Sequence, residues 1–130
     1  MLKSQQYSDI VFKSVSRVAD ESDDSAKRYK SLCKRAGGVF RTVGLVQFVT
    51  FIEAKGRKES YYQWLSEHLR RELNDVKILE NKDSTDFLKQ IRQLPLPEYM
   101  NVSRAVLQLL QWHKRIAEIL IEGTADQGDE

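Results

Sequence analysis

One cysteine, two prolines and six glycines in 130 residues leave this chain few places to staple or break itself. Because Cys33 stands alone, no internal disulfide framework is available, which excludes a disulfide-built secreted scaffold and suits a reducing compartment. Met1-Leu2-Lys3 is not followed by an apolar run, so no secretory signal is legible. The longest uncharged stretch, Thr42 to Ile52, falls well short of the about 18–20 residues that a membrane helix requires. These absences lead to the expectation of a soluble, cytoplasmic protein with no membrane partner.

Recognisable catalytic chemistry is also scarce. His68 and His113 are distant in sequence and have only Cys33 as a soft companion, so no closed zinc set can be written. Asp20-Glu21-Ser22-Asp23-Asp24 superficially resembles a calcium loop. However, Ser25 stands where the turn glycine belongs, and Ser31 where the bidentate glutamate belongs. Gly37-Gly38 lacks the G-K-[ST] ending of a phosphate loop, and no G-x-S-x-G elbow is present. His68 and Glu72, at i and i+4, have the spacing of a base and its orienting carboxylate, but no nucleophile or second base accompanies them. Helical ribonucleases that place an arginine five to seven residues before a histidine are excluded too. Those positions are Tyr61 to Gln63 before His68 and Val106 to Gln108 before His113. The expectation is a non-enzyme with no catalytic residue, no metal and no cofactor.

Positive charge is what the chain does have, in one place. Between Ser25 and Lys58 stand nine Lys/Arg and one acid, Glu53, a local charge of +8 within a net charge of +2. Residues 1–24 sum to −2 and residues 59–130 to −4, so acidic flanks conceal the basic block. Clustered cations concentrate polyanions, and a phosphate backbone is the commonest ligand of such a field.

Few prolines, few glycines and 31% charged residues point to helix, and 41% hydrophobic residues suffice for a core. Tyr7, Ile10, Val11, Val15 and Val18 recur at helical spacing in about Ser4 to Ala19, and the acidic run Asp20–Asp24 stops that helix. Ser25, Asp23 or Asp24 caps the next helix, with Tyr29, Leu32, Cys33 and Ala36 on one face; Gly37-Gly38 is expected to end or break it. Val39 to Ala54 is rich in β-branched and aromatic residues, yet it is too long for a strand and apolar on both alternating sets. It reads as a buried central helix interrupted near Gly44. Gly56 is the expected C′ residue of a basic turn.

A further helix runs from about Glu59 to Leu73, and a short one follows Asp83-Ser84 through Phe87, Leu88, Ile91 and Leu94. Pro97 opens a long last helix to about Ile121, with Val102, Ala105, Leu109, Trp112, Ile116 and Leu120 as its seam. The predicted fold is an all-α, single-domain bundle of about six helices over residues 1–121. Its buried central helix spans about 39–54 and its long C-terminal helix about 97–121, with a disordered acidic tail at 122–130.

Four groups of residues in this order resemble a known family. They are Tyr29-Lys30-Ser31-Leu32, then Gly44-Leu45 through Phe48 to Phe51, then Tyr61-Tyr62-Gln63-Trp64-Leu65. The fourth is Tyr99 with Ala105, Leu109, Leu110, Trp112, Lys114, Arg115 and Ala117. Together, over about residues 7–121, they are similar to the small subunit of the type III-B CRISPR RNA-silencing (Cmr) effector complex, or of a neighbouring type III subtype. The chain departs from that pattern at Gly37-Gly38, where the family usually has a proline, and at Val43, where an asparagine is frequent. It also departs at His113, where an apolar residue is common.

The resemblance implies a non-catalytic helical bundle. Such subunits stack with copies of themselves into a short filament beside other CRISPR effector subunits, with a basic surface along the guide RNA and target RNA. By matching position, Lys34, Arg35, Arg41, Lys114 and Arg115 are the candidate phosphate contacts, with Lys55 and Arg57 as weaker additions. A guide–target duplex is held through its backbone, since base pairing reads the sequence. The cations of the second and third helical stretches are expected to meet as one ridge. Two alternatives remain: a stand-alone helical module docking an acidic protein through the same block, and a histidine-dependent ribonuclease using His68 or His113.

Overall fold

The computed structural model describes residues 2–21, 24–80 and 86–123. Six helices follow in order: α1 Lys3–Ala19, α2 Asp24–Val43, α3 Leu45–Gly56, α4 Ser60–Asp75, α5 Phe87–Arg92 and α6 Leu96–Leu120. No strand occurs among the described residues, so the all-α expectation holds.

The 25-residue α6 is the spine, packed against α1, α2 and α4, while α3 packs on α4 and α5. Its start follows from Pro95 and Pro97, whose fixed φ suits an N-terminus and whose missing N–H groups cost nothing there. Its inner face buries Val102, Ala105, Val106, Leu109, Leu110, Ile116 and Ala117, and also His113. Trp112 and Leu120, expected on this seam, are only half-buried, because the face is rotated toward His113. On α1 the buried stripe is Tyr7, Val11, Val15 and Val18, with Ser14 among them.

The chain turns at Gly44, not at Gly37-Gly38. α2 runs unbroken through the two adjacent glycines, because Leu32, Cys33, Ala36 and Phe40 share one buried face on either side of them. Packing of that face outweighs a propensity penalty of about 1 kcal/mol per glycine. Residues 39–43 therefore belong to α2, and the buried central helix narrows to α3. Gly44 has φ 84° and ψ 177°, a conformation that glycine alone adopts without strain. Its N–H donates to the Phe40 carbonyl at 2.8 Å and its carbonyl accepts from the Phe48 N–H at 2.9 Å, so one residue closes α2 and opens α3. Phe40 and Phe48 clasp this corner edge-to-face at 5.5 Å. Leu45, Phe48, Val49 and Ile52 of α3 lie in the core, so tertiary burial overrides the local β-propensity.

The boundary expectations at Gly56 and Ser25 are corrected. Gly56 is the last residue of α3 and not a left-handed cap; a Cβ there would stand 3.2 Å from the Gln63 backbone, so glycine lets α3 and α4 approach. The α5 cap is Asp86, whose carboxylate accepts the Leu88 N–H at 2.9 Å, whereas Asp83 and Ser84 lie outside the described residues. Ser25 sits inside α2, one residue past Asp24. The tail after Gly123 also lies outside the described residues.

Candidate nucleic-acid interface

The α2–α6 contact leaves a groove of about 410 Å³ between the outer edges of the two helices. Lys34 and Arg41 stand on its α2 side and Lys114 and Arg115 on its α6 side, all four exposed. Spacing explains the first pair: residues 34, 37, 38 and 41 lie one helical turn apart on one face, with Gly37 and Gly38 between the two cations. Cys33, Leu110 and Gln111 complete the lining together with Glu118, so four cations against one carboxylate leave a groove charge of +3.

The remaining candidates lie elsewhere. Arg35 is half-buried, and its Nε is enclosed without a hydrogen-bond partner among the described residues. Arg57 lines a different hollow, between α3, α4 and α5, with Glu53 and Asp86; one cation against two carboxylates gives it the opposite sign. Lys55 is exposed near the end of α3 and lines neither groove. The cations of α2 therefore meet those of α6, and not those of the α3 turn.

Part of the basic block serves the fold. The Lys30 ammonium donates to the Ile121 and Gly123 carbonyls at 2.9 and 3.0 Å, a cation placed at the negative end of α6. Arg28 pairs with Asp24 one turn earlier at 2.7 Å.

Beneath the groove lies a buried polar chain that sequence reading missed. Arg71 donates to the Ser14 hydroxyl at 2.7 Å, and Ser14 donates to the Glu72 carboxylate at 2.7 Å. His113 Nε2 reaches both Glu72 oxygens, at 2.9 and 2.8 Å, and neither side chain has any exposed surface. On its other edge, His113 Nδ1 lies 3.1 Å from the Tyr29 hydroxyl, which lies 2.7 Å from His68 Nδ1.

One proton arrangement satisfies every group. His113 is an imidazolium that donates to Glu72 and to Tyr29, and Tyr29 donates to a neutral His68. The electrostatics agree. Burial works against charge on His113, but the Glu72 carboxylate, with the hydrogen bonds that the imidazolium donates to Cys33 and Glu72, holds its pKa up at about 10. Burial, then the charges of His113, Arg71 and Arg17, depresses His68 to about 3. The Tyr29 phenol is pushed well above its ordinary value, by burial first.

The sequence does pair His68 with Glu72 at i and i+4. In the fold Glu72 turns to His113 of α6, and His68 to Tyr29 of α2. The legible signal was polar residues on apolar stripes: Glu72 between Leu69 and Leu73, and His113 between Leu110 and Ala117.

Comparison with known proteins gives the family and the fold. A family model described as CRISPR-associated protein (Cas_Cmr5) matches residues 3–120. The chain is 25% identical over 120 residues to the CRISPR system Cmr subunit Cmr5 of Thermus thermophilus, covering 92% of this chain and 96% of that protein. The X-ray crystal structure of a CRISPR-associated Cmr5 family protein from the same organism superposes with a TM-score of 0.75 at 21% identity. That match covers 94% of this chain and all of the other, and establishes a shared fold. Among the described residues no helix is long and apolar enough to cross a membrane. With nearly its whole length matched by the family model, and with its fold shared by a solved Cmr5 family protein, this chain belongs to the Cas_Cmr5 family of CRISPR-associated proteins.

Proposed function

We propose that this protein is a non-catalytic subunit of a Cmr-type CRISPR effector complex in the cytoplasm, and that the α2–α6 groove holds RNA by its phosphate backbone. The observation that carries this reading is the convergence of Lys34, Arg41, Lys114 and Arg115 on one exposed concavity of a family member. Two of these come from the basic block and two from the end of a distant helix. Copies of the chain stack in a short filament along the guide–target duplex beside other effector subunits, each offering its groove to successive phosphates. Arg35, Lys55 and Arg57 are peripheral in this reading, because they line no part of the groove. The groove carries charge but no cage of aromatic rings, which favours sequence-independent contact. Target cleavage belongs to other subunits: His113 and Glu72 are wholly enclosed and His68 nearly so, and their hydrogen bonds are spent on one another, on Ser14 and on Tyr29.

The test is filter binding of single-stranded RNA over a salt series. Four phosphate contacts give a log–log slope of about −2.8, so affinity falls about 50-fold between roughly 50 and 200 mM salt. A flat salt response, or recovery of an acidic protein without nucleic acid in nuclease-treated pull-downs, overturns the reading.

A further inference from the structure

Two adjacent glycines in the middle of an intact helix need a reason. Glycine is the weakest helix former after proline, and α2 carries Gly37 and Gly38 together near the centre of its exposed edge. Elsewhere in the chain the reason for glycine is visible. Gly44 adopts a left-handed φ, and Gly56 gives α3 room beside the Gln63 backbone. Neither reason applies here. Gly37 and Gly38 have ordinary helical geometry, and a Cβ built on either meets nothing within 4 Å. Neither the protein's conformation nor its packing asks for them.

What they do shape is the groove. Both line it, one turn after Lys34 and one turn before Arg41, with Lys114 and Arg115 across from them. A helix surface without Cβ atoms is lower by about the length of one C–C bond, about 1.5 Å. A ligand can therefore settle against the peptide backbone itself, between the two cations of α2 and within reach of the two on α6. Close approach of a ligand to backbone is a recognised use of glycine.

We propose that Gly37 and Gly38 are the contact floor of the site, where a phosphodiester of the bound RNA strand lies directly on the α2 backbone. This rests on the reading of the groove as an RNA-backbone site. It adds a steric requirement to the electrostatic one: the four cations fix a phosphate only because the floor between them is bare.

The experiment compares Gly37→Ala, Gly38→Ala and the double substitution with wild type, and uses Lys34→Glu/Arg41→Glu as a charge control. Each protein is melted by circular dichroism and titrated against a fluorescent oligouridylate at about 50 mM salt, the low end of the range in which phosphate contacts dominate. Alanine improves helix propensity in open space, so the double variant should melt about 4–8 °C higher. Its RNA affinity should fall about fivefold, the upper end for one displaced exposed ionic contact. A more stable protein that binds less RNA is the signature, and no purely structural role for the glycines produces it.

Unchanged affinity in the alanine variants, beside clear loss in the charge control, overturns the glycine floor and leaves the groove reading standing. A charge control that binds like wild type, or a wild type that does not bind, overturns the groove reading and this inference with it. A lower melting temperature in the alanine variants overturns the premise that packing does not need glycine.

Discussion

Replacing His113 by leucine tests how the buried polar chain is held together. The substitution nearly conserves volume and puts an apolar residue on the inner face of α6. It leaves the Glu72 carboxylate fully enclosed, with the Ser14 hydroxyl still donating to it. Removing one partner of a buried ion pair costs about 3–5 kcal/mol, most of it the stranded charge. For a chain of this size that lowers the melting temperature by about 12–20 °C, a large share of a typical domain's stability. Glu72→Leu alone should also destabilise, since it removes the carboxylate that holds the buried His113 ring charged.

The double variant, Glu72→Leu with His113→Leu, removes both charges at once. Ser14 keeps Arg71 and Tyr29 keeps His68, so no hydroxyl is orphaned. The double variant should therefore recover most of the single losses, with a coupling of about 3 kcal/mol in the double-mutant cycle. Guanidinium unfolding followed by circular dichroism measures all four proteins. Additive losses, with coupling near zero, refute the reasoning, because they show that the two groups do not depend on each other.

Stability against pH should peak near the ordinary histidine pKa of about 6.5 and fall on both sides. His113, held up at about 10, contributes stability that is complete below about 6.5 and is lost as pH rises through about 10; the raised Tyr29 pKa adds to that alkaline limb. His68, depressed to about 3, gives the acid limb: between about 6.5 and 3 the unfolded chain takes the proton first, so stability falls with pH. Melting temperatures from about pH 3 to about pH 10 check both limbs, and the Glu72→Leu/His113→Leu protein should lose the part of the alkaline limb that His113 supplies. Gly44→Ala should cost about 1–3 kcal/mol although the space around it is open, because φ 84° with ψ 177° strains any L-residue; thermal melting reads it directly. Lys30→Met should lower stability by about 1 kcal/mol through loss of the ammonium at the α6 end, and hydrogen exchange should show faster opening of the last α6 turn.

Helix content, the break at Gly44 and the inner face of α6 were legible because periodicity over long segments reports burial directly. The Gly37-Gly38 break was misread because helix propensity is a weak prior, and Leu32, Ala36 and Phe40 hold α2 together across the pair. The site was legible in part. Lys34, Arg41, Lys114 and Arg115 could be singled out by residue type and family pattern, but their convergence depends on α2 lying against α6, a long-range contact that no local spacing encodes. The same holds for the polar chain. Ser14, Tyr29, Glu72 and His113 come from four different helices, so only the packed bundle brings them together.

The most direct measurement of the central claim is the salt slope of RNA binding for wild type and for Arg41→Ala. Four groove cations require a slope of about −2.8 in wild type and about −2.1 once Arg41 is gone, with the same result for Lys114→Ala. Lys55→Ala, outside the groove, should keep the wild-type slope. If Lys55→Ala lowers the slope as much as Arg41→Ala does, or if no groove substitution changes it, RNA is not held between α2 and α6.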